Sequence, residues 1–202
     1  MTAKSLSRPI MRIVATSEQD VRGGASDVAA ARRGQQAAMR AVYDAHFDYI
    51  LCMCVRLMRD AERGMDAAQE AFAVAFEKLS QLRDDGAFRP WVAQSAVRIC
   101  RTQLRRDRMF RAVGLGPHES DDDPVVNLID HSVSDDIRLD LRAAALVLAS
   151  LPVSSRIAWT LKHLQDESLV KIAELTGRSL ASVKRDIDLA EHELRRRLGG
   201  AS

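Results

Sequence analysis

Apolar residues recur at spacings of three and four over most of the chain, which is the period of an amphipathic helix. The clearest stripe lies in a helix expected to begin near Gln35, and it consists of Phe47, Ile50, Leu51, Cys54 and Met58. Further helices are predicted over residues 27–34, closed by Gly34, over 66–82, and from Pro90 onward. Helical spacing returns at 137–151, 157–164 and 168–198. We therefore predict an all-α protein.

The helical pattern is interrupted between residues 109 and 136. Glycines and prolines break any helix there, and the run "ESDDD" at 119–123 leaves little to bury. This segment is predicted to be a flexible acidic linker between two small helical domains, 25–108 and 137–198. Residues 1–24 show no periodicity and are expected to form a disordered tail, and 199–202 a second short tail.

Composition excludes several classes of protein. No apolar run reaches the length of a membrane span, and the first residues are too weakly apolar for a signal peptide, so we expect no membrane insertion and a cytoplasmic location. The three cysteines, Cys52, Cys54 and Cys100, lack metal-ligand or CxxC spacing and are interpreted as structural thiols. No nucleophile or metal cluster is evident, so neither an enzyme site, a cofactor nor a metal is predicted.

The formal net charge of +2 conceals a strongly basic helix. Between residues 98 and 111 there are six arginines and one acid, Asp107. Four of these arginines are three or four residues apart and so share one face: Arg98, Arg101, Arg105 and Arg108. The opposite face carries Val92, Ala96, Ile99 and Cys100. A helix of this kind can pack on its domain and lie along phosphates, although a solvated face paired with acids is the alternative.

The stretch "SLVKIAELTGRSLASVKRD" at 168–186 predicts a helix-turn-helix. Ala173 is small where two helices approach, Gly177 suits a left-handed turn, and Val183 packs the second helix back. Ser179 is expected to be the N-cap of that second helix, whose first residues would enter a major groove. A helical hairpin without a DNA role is the alternative. The candidate DNA-binding residues here are Arg178, Ser179, Ala181, Ser182, Lys184 and Arg185.

Several motifs, taken in order, resemble one family. They are "MDAAQEAFAVAFEKL" with its Gln69-Glu70-x-Phe72, the Trp-led "FRPWVAQSAVRICRTQLRR", the Leu151-Pro152 pair, and the Ala173/Gly177/Val183 turn. This set, from about residue 25 to 198, resembles the extracytoplasmic-function (ECF) sigma factors of bacterial RNA polymerase, with the first domain similar to sigma region 2 and the second to region 4.

The resemblance implies partners and residue roles. Asp66, Gln69 and Glu70 match the segment that contacts the β′ clamp helices of core RNA polymerase, and region 4 is expected to meet the β flap. Region 2 would help melt the promoter −10 element, with one base flipped into the loop at about 81–89. Region 4 would read the −35 element. Promoter DNA, core polymerase and an anti-sigma factor are thus the implied partners, in a stress or envelope response.

The chain departs from the family pattern in both regions. Where the region 2 helix commonly has an Arg-Asn pair and later an Asp, this chain has Val97, Arg98 and Thr102. Arg178 follows the turn glycine in place of an aliphatic residue. Asp186 and Asp188 occupy a stretch that is often basic, with Asp186 nearer the core and expected to cap or pair locally.

Two other functions are compatible with parts of the sequence. One is a helix-turn-helix transcriptional regulator whose helical N-terminal domain senses a signal or dimerises. The other is a helical interaction protein without a DNA role. The segment from Asp66 to Phe72 discriminates the sigma factor from the regulator, because a regulator has no use for a polymerase contact.

Overall fold

The computed structural model of the chain describes residues 24–112 and 135–198, and for 135–141 the backbone alone. Within these ranges it contains eight α-helices and no strand, so the predicted all-α class is confirmed. The helices are α1 (Gly24–Arg32), α2 (Gln36–Met58), α3 (Ala61–Glu77), α4 (Phe88–Ala112), α5 (Asp135–Ser150), α6 (Val153–His163), α7 (Leu169–Thr176) and α8 (Leu180–Leu198). The predicted tails and most of the predicted linker lie outside the described residues.

Helices α1–α4, which we call the N-terminal bundle, pack around α2 and α3. The side of α3 that faces α2 is made of small residues, including Ala67, Ala68 and Ala71, all fully buried. Because these side chains are short, the two helix axes can approach closely. Phe72 lies beside them in an aromatic cluster, with Phe76 and Phe88 at ring-centroid distances of 6.0 and 6.3 Å.

Helix α3 begins five residues before the position that periodicity predicted. Asp60 is its N-cap, and its carboxylate accepts a hydrogen bond from the Arg63 backbone N–H at 3.0 Å. The first turn is polar apart from Ala61 and contains Gly64, so it carries no apolar stripe. The boundary was therefore set by the cap, which periodicity does not detect.

Helix α4 begins at Phe88, and Pro90 lies in its first turn, where a missing backbone N–H costs nothing. Its buried side includes the four residues expected there: Val92, Ala96, Ile99 and Cys100. The helix continues past the predicted break near residue 109 as far as Ala112. The last turn of α4 has no apolar stripe, and Met109 in it is exposed. Periodicity therefore could not predict that the helix extends to Ala112.

Helices α5–α8 form the C-terminal bundle, in which α8 contacts α5, α6 and α7. Val183, Ile187 and Ala190 are buried along the inner face of α8, as its stripe predicted. The turn between α7 and α8 is the predicted one, with Gly177 in the left-handed region at φ 63°.

The two bundles share one hydrophobic cluster. Ile157, Leu161 and Leu175 of the C-terminal bundle are buried in the same cluster as Leu57 and Val92 of the N-terminal bundle. Helix α6 contacts α2 and α4, and α7 contacts α4. No helix in the described part of the chain is both long and apolar enough to cross a bilayer.

Gly64 makes the contact between α2 and α3 possible. A Cβ atom built on Gly64 would lie 2.7 Å from the Val55 Cα atom, which belongs to the backbone and cannot rotate away. We predict that Gly64→Ala lowers the free energy of unfolding by about 1–3 kcal/mol because it forces the helices apart. The intrinsic preference of helices for alanine, about 1 kcal/mol, acts in the opposite direction. Urea unfolding followed by circular dichroism measures the change.

Gly24→Ala is the matched control. A Cβ on Gly24 would meet only the His46 Nε2 atom, at an ordinary contact distance of 3.7 Å. This variant should be as stable as the original chain. If Gly64→Ala were as stable as the original chain, the close approach of α2 and α3 at Gly64 would be contradicted.

Candidate nucleic-acid interface

The arginine face of α4 has the orientation that helical spacing predicted for three of its four residues. Arg98, Arg105 and Arg108 are exposed, while the buried stripe of the helix lies on the other side. The single acid of the segment, Asp107, does not neutralise this face. Its carboxylate pairs with Arg63 of α3 at 2.6 Å and is largely buried. The exposed face therefore keeps an unbalanced positive charge, as binding to phosphates requires.

Arg101 differs from the other three arginines because it is half-buried. Its guanidinium donates a hydrogen bond of 2.9 Å to the Thr176 backbone carbonyl at the end of α7. Burial lowers the pKa of Arg101, and the neighbouring charges of Arg105, Arg178 and Arg98 lower it further. The expected outward orientation of Arg101 is thus not the one observed, because a contact between the bundles holds it. Helical periodicity within α4 cannot reveal such a contact.

The loop that precedes α4 is braced from α1. The Arg32 guanidinium donates to the Leu82 backbone carbonyl at 2.7 Å and also pairs with the Asp85 carboxylate. Within the loop, the Asp84 carboxylate accepts from the Gly86 backbone N–H at 2.9 Å. These contacts give the segment between α3 and α4 a defined shape.

A cleft of about 330 Å³ lies beside this loop. One side is formed by the indole of Trp91, with Lys78, Gln81 and Arg98 next to it, and the other side by the α7–α8 turn at 175–177. Arg89 points away from the cleft, with its guanidinium 3.9 Å from the centre of the Tyr49 ring. The cleft thus combines an aromatic face with cations, which suits a nucleobase and its phosphate.

The helix-turn-helix has the local geometry that its sequence predicted. Ser168 caps α7, and the Arg178 backbone N–H donates to the Ala173 carbonyl at 3.1 Å across the glycine turn. Ser179 caps α8, because its Oγ accepts from the Ser182 backbone N–H at 3.2 Å. Ala181, Lys184 and Arg185 are exposed, whereas Arg178 and Ser182 are half-buried.

Asp186 pairs within its own bundle, as the sequence suggested. Its carboxylate lies 3.0 Å from the Arg178 guanidinium and accepts hydrogen bonds from the Ser154 and Ser155 hydroxyls at 3.1 and 3.2 Å. Its side chain is only 13% exposed, so it presents little negative charge to a ligand at the start of α8. Asp188, by contrast, is exposed.

Comparison with known proteins shows what this chain is similar to. Residues 42–109, which contain most of α4 and its arginine face, match sigma-70 region 2. The chain is 28% identical over 172 residues to a probable RNA polymerase sigma factor, RfaY, of Xanthomonas campestris, a match covering 83% of this chain and 42% of that protein. It is 23% identical over 178 residues to the ECF RNA polymerase sigma factor SigW of Bacillus subtilis, and that match covers 83% of this chain and 92% of SigW.

The chain is thus similar to RNA polymerase sigma factors, one of them of the ECF type, over most of its length. A third relative, the RNA polymerase sigma-H factor of Pseudomonas aeruginosa, is 27% identical over 164 residues, covering 76% of this chain and 82% of that protein. The fold resembles that of CnrH, solved in complex with the cytosolic domain of CnrY, with a TM-score of 0.61. That match covers 89% of this chain and 99% of CnrH at 20% identity.

The residues expected to touch polymerase lie together on α3. Asp66, Gln69 and Glu70 are all exposed, and they project from the side opposite the buried Ala67, Ala68 and Ala71. A polar surface backed by small core residues is thus available on one face of the N-terminal bundle.

Two of the three cysteines meet in the core. Cys54 and Cys100 are fully buried and hydrogen-bonded to each other, and this bond and burial raise the pKa of Cys54. Thiols of this kind are poor nucleophiles and poor metal ligands. Among the residues that the structure describes, no three His, Cys, Asp or Glu side chains are placed to hold a metal ion.

Sequence reasoning missed the residues that position the interface. Arg32 lies more than fifty residues before the loop that it braces, and Arg63 lies 44 residues before Asp107. Neither spacing is helical, so no pattern in one helix connects them. The available signals were a pair of arginines, Arg32 and Arg33, at the end of a short N-terminal helix and a single acid among the arginines of α4.

Arg32 offers a test of how the loop is held. We predict that Arg32→Ala increases hydrogen exchange of the amides at 83–87 by about tenfold, because the loop loses a charge-assisted hydrogen bond and an ion pair. Mass spectrometry of the deuterated chain measures the exchange. Arg40→Ala, which removes an exposed ion pair with Asp44 in α2, should leave the loop unchanged. Equal exchange in both variants would contradict the bracing role.

Asp186 and Asp188 form a natural pair for testing the structural role of one acid. Asp186→Ala should lower the free energy of unfolding by about 1–3 kcal/mol, because the half-buried Arg178 guanidinium and two hydroxyls lose their acceptor. Asp188→Ala should change it by less than about 0.5 kcal/mol, as is usual for an exposed site. Chemical unfolding measures both. A larger loss at Asp188 would contradict the assignment.

Proposed function

We propose that this chain is a sigma factor that binds core RNA polymerase and directs promoter-specific transcription initiation, and that it performs no chemistry of its own. The observation that carries the proposal is the region 2 match over 42–109, within which the arginine face of α4 lies. The match to RfaY spans less than half of that relative's length, so the activity is inferred for this chain from its own surfaces. Acting with polymerase, the protein would work in the cytoplasm.

In this proposal residues 25–108 act as region 2 at the −10 element. The exposed Arg98, Arg105 and Arg108 follow the phosphates along α4, and Arg101 joins them once its contact with Thr176 is released. The cleft beside Trp91 accommodates a base extruded from the duplex. Extrusion costs a few kcal/mol, so a site that stacks and holds the base favours the open promoter.

Residues 137–198 act as region 4 at the −35 element. Ser179, Ala181, Lys184 and Arg185 lie in the first turns of α8, which is the end that a recognition helix presents to the major groove. Arg178 in the turn and Ser182 in the first turn of α8 belong to the same DNA-binding set, and Arg178 is positioned by Asp186. Lys184 and Arg185 supply the phosphate contacts, which weaken steeply with salt.

Asp66, Gln69 and Glu70 contact the β′ clamp helices, and the C-terminal bundle contacts the β flap. An anti-sigma factor regulates the protein by covering these surfaces, in response to a stress or envelope signal. CnrH was solved with the cytosolic domain of another protein, CnrY, which is consistent with regulation through a protein partner.

Substitution of the three α3 residues separates polymerase binding from DNA binding. We predict that Asp66→Ala/Gln69→Ala/Glu70→Ala weakens binding to core polymerase by at least about tenfold, because three exposed polar contacts are lost together. Run-off transcription with purified core polymerase on a genomic promoter library should fall in parallel. The variant should remain folded, since all three side chains are exposed.

The matched control carries the same residue types on other exposed positions of the bundle: Asp48→Ala/Gln36→Ala/Glu77→Ala. This control should bind polymerase and support transcription normally. Failure of the unmodified chain to stimulate transcription from any promoter would exclude the sigma function. Salt-sensitive duplex binding without polymerase binding would instead favour a helix-turn-helix regulator.

A further inference from the structure

The cleft beside Trp91 combines one aromatic face with an excess of positive charge. Three of the residues that line it are cations, Lys78, Arg98 and Arg101. Among the described residues that form its walls there is no acid. Its volume of about 330 Å³ lies within the range of clefts that hold small molecules, roughly 300–1,000 Å³. The cleft therefore favours a small anion over a neutral or cationic ligand.

Hydrogen bonds between the two walls give the cleft a defined shape. Gln94 on one wall donates to the Glu174 backbone carbonyl at 3.0 Å, and Arg101 donates to the Thr176 carbonyl at 2.9 Å. The Glu174 carboxylate pairs with Lys171 at 3.2 Å, so its charge is balanced by a neighbour on its own helix. A ligand that enters a preformed cleft loses less free energy in ordering its surroundings.

The indole of Trp91 is positioned to stack with a planar ligand. It meets the ring of Phe88 edge-on, with ring centroids 6.3 Å apart and an angle of 67° between the ring planes. Phe88 is buried in the core, and this contact holds the indole while the indole itself stays half-buried and lines the cleft. Val74 and Leu175 supply apolar surface beside it. Nucleobases stack on aromatic side chains in this kind of setting.

Four guanidinium groups lie close together at one edge of the cleft. Burial lowers the pKa of Arg101, and the charges of its neighbours Arg105, Arg178 and Arg98 lower it further. The Asp186 carboxylate pairs with Arg178 at 3.0 Å and is shared with two serine hydroxyls. Like charges held this close repel one another, and an anion with several negative charges offsets the repulsion.

We propose that this cleft binds a free nucleoside polyphosphate, with the base stacked on Trp91 and the phosphates against Lys78, Arg98 and Arg101. Inorganic polyphosphate would leave the indole without a contact, and an uncharged aromatic compound would leave the cations without one. A ligand that carries both a base and several phosphates satisfies both groups. Because the site lies in the chain without polymerase, its existence does not rest on the proposed sigma function.

A base extruded from promoter DNA has part of the same chemistry. It offers a planar ring and one negative charge per phosphodiester, whereas a free nucleoside triphosphate places three phosphates next to one base. The converging guanidinium groups at Arg101 fit the higher charge of the free nucleotide. If the proposed sigma function holds, the nucleotide and the promoter base compete for Trp91 and Arg98, and this consequence alone rests on that function.

Equilibrium dialysis of the full-length chain against radiolabelled ATP at low ionic strength tests the site. We expect saturable binding of a single ATP, at least about tenfold tighter than that of tripolyphosphate or adenosine, since each of these lacks one half of the contacts. A pentanucleotide of deoxyadenylate serves as the probe for a base within a DNA strand. Absence of saturable ATP binding, including the case in which only the pentanucleotide binds, would overturn the proposal. ATP binding no tighter than that of tripolyphosphate would also overturn it.

Arg98→Gln and Arg108→Gln form a matched pair of variants. Both remove an exposed arginine from the same face of α4, but of the two only Arg98 lines the cleft. Arg98→Gln should weaken ATP binding by about tenfold, as expected for the loss of one charge-assisted contact, and Arg108→Gln by less than about twofold. Equal effects would mean that ATP binds along the whole basic face, which contradicts the proposed site.

Trp91→Leu separates the contact with the base from the contact with the phosphates. It should weaken ATP binding by about tenfold through the loss of stacking and leave tripolyphosphate binding unchanged. Unchanged ATP binding would contradict the stacking. If circular dichroism shows that this variant has lost helicity, the original chain is crosslinked with 8-azido-ATP instead. Label on the peptides that contain Lys78 or Trp91 supports the site, and label only elsewhere excludes it.

Run-off transcription keeps failure of this site separate from failure of the sigma function, because the dialysis contains no polymerase. A chain that binds ATP as expected but never stimulates core polymerase would retain the nucleotide site and exclude the sigma role. A chain that stimulates polymerase but binds no ATP would retain the sigma role and exclude the nucleotide site.

Discussion

The carbonyl groups at the end of α2 are the point on which the arrangement of the molecule depends. A helix leaves its last carbonyls without internal partners, and burying them without donors costs free energy. In this protein the end of α2 is buried between the bundles and is satisfied by Arg156, which is itself buried. Neither group could remain there without the other, since an unpaired buried guanidinium is even more costly. The packing of α6 on α2 follows from this pair, and the shared apolar core surrounds it.

Two aspartates that lie among arginines pair in the same way. Asp107 and Asp186 both lie in basic helices, and each is drawn to an arginine outside the exposed basic face, Arg63 and Arg178 respectively. The exposed face of α4 and the start of α8 therefore keep their positive charge, while Asp107 and Asp186 fasten their helices to neighbouring segments. In α8 this also explains why an aspartate is compatible with a helix start that would approach phosphates.

Patterns within one helix predicted much of the fold and of the candidate interface. The stripes of α2, α4 and α8 located their buried faces, and Gly177 and Ser179 located the turn and the cap of the helix-turn-helix. Such features depend on residues three or four apart, whose geometry the helix itself sets. The start of α3 and the end of α4 were missed because a cap and an exposed last turn leave no apolar period. The roles of the candidate site residues stay predictions.

The residue pattern was enough to predict the all-α class, the basic face of α4 and the local geometry of the α7–α8 turn. It could not predict that Arg101 faces Thr176, that Arg32 braces the loop before α4, or that both bundles share one core, all of which emerged from the folded chain. A helical face is set by a repeating local spacing, whereas each of these contacts joins residues at least fifty positions apart, and their meeting depends on how whole helices pack.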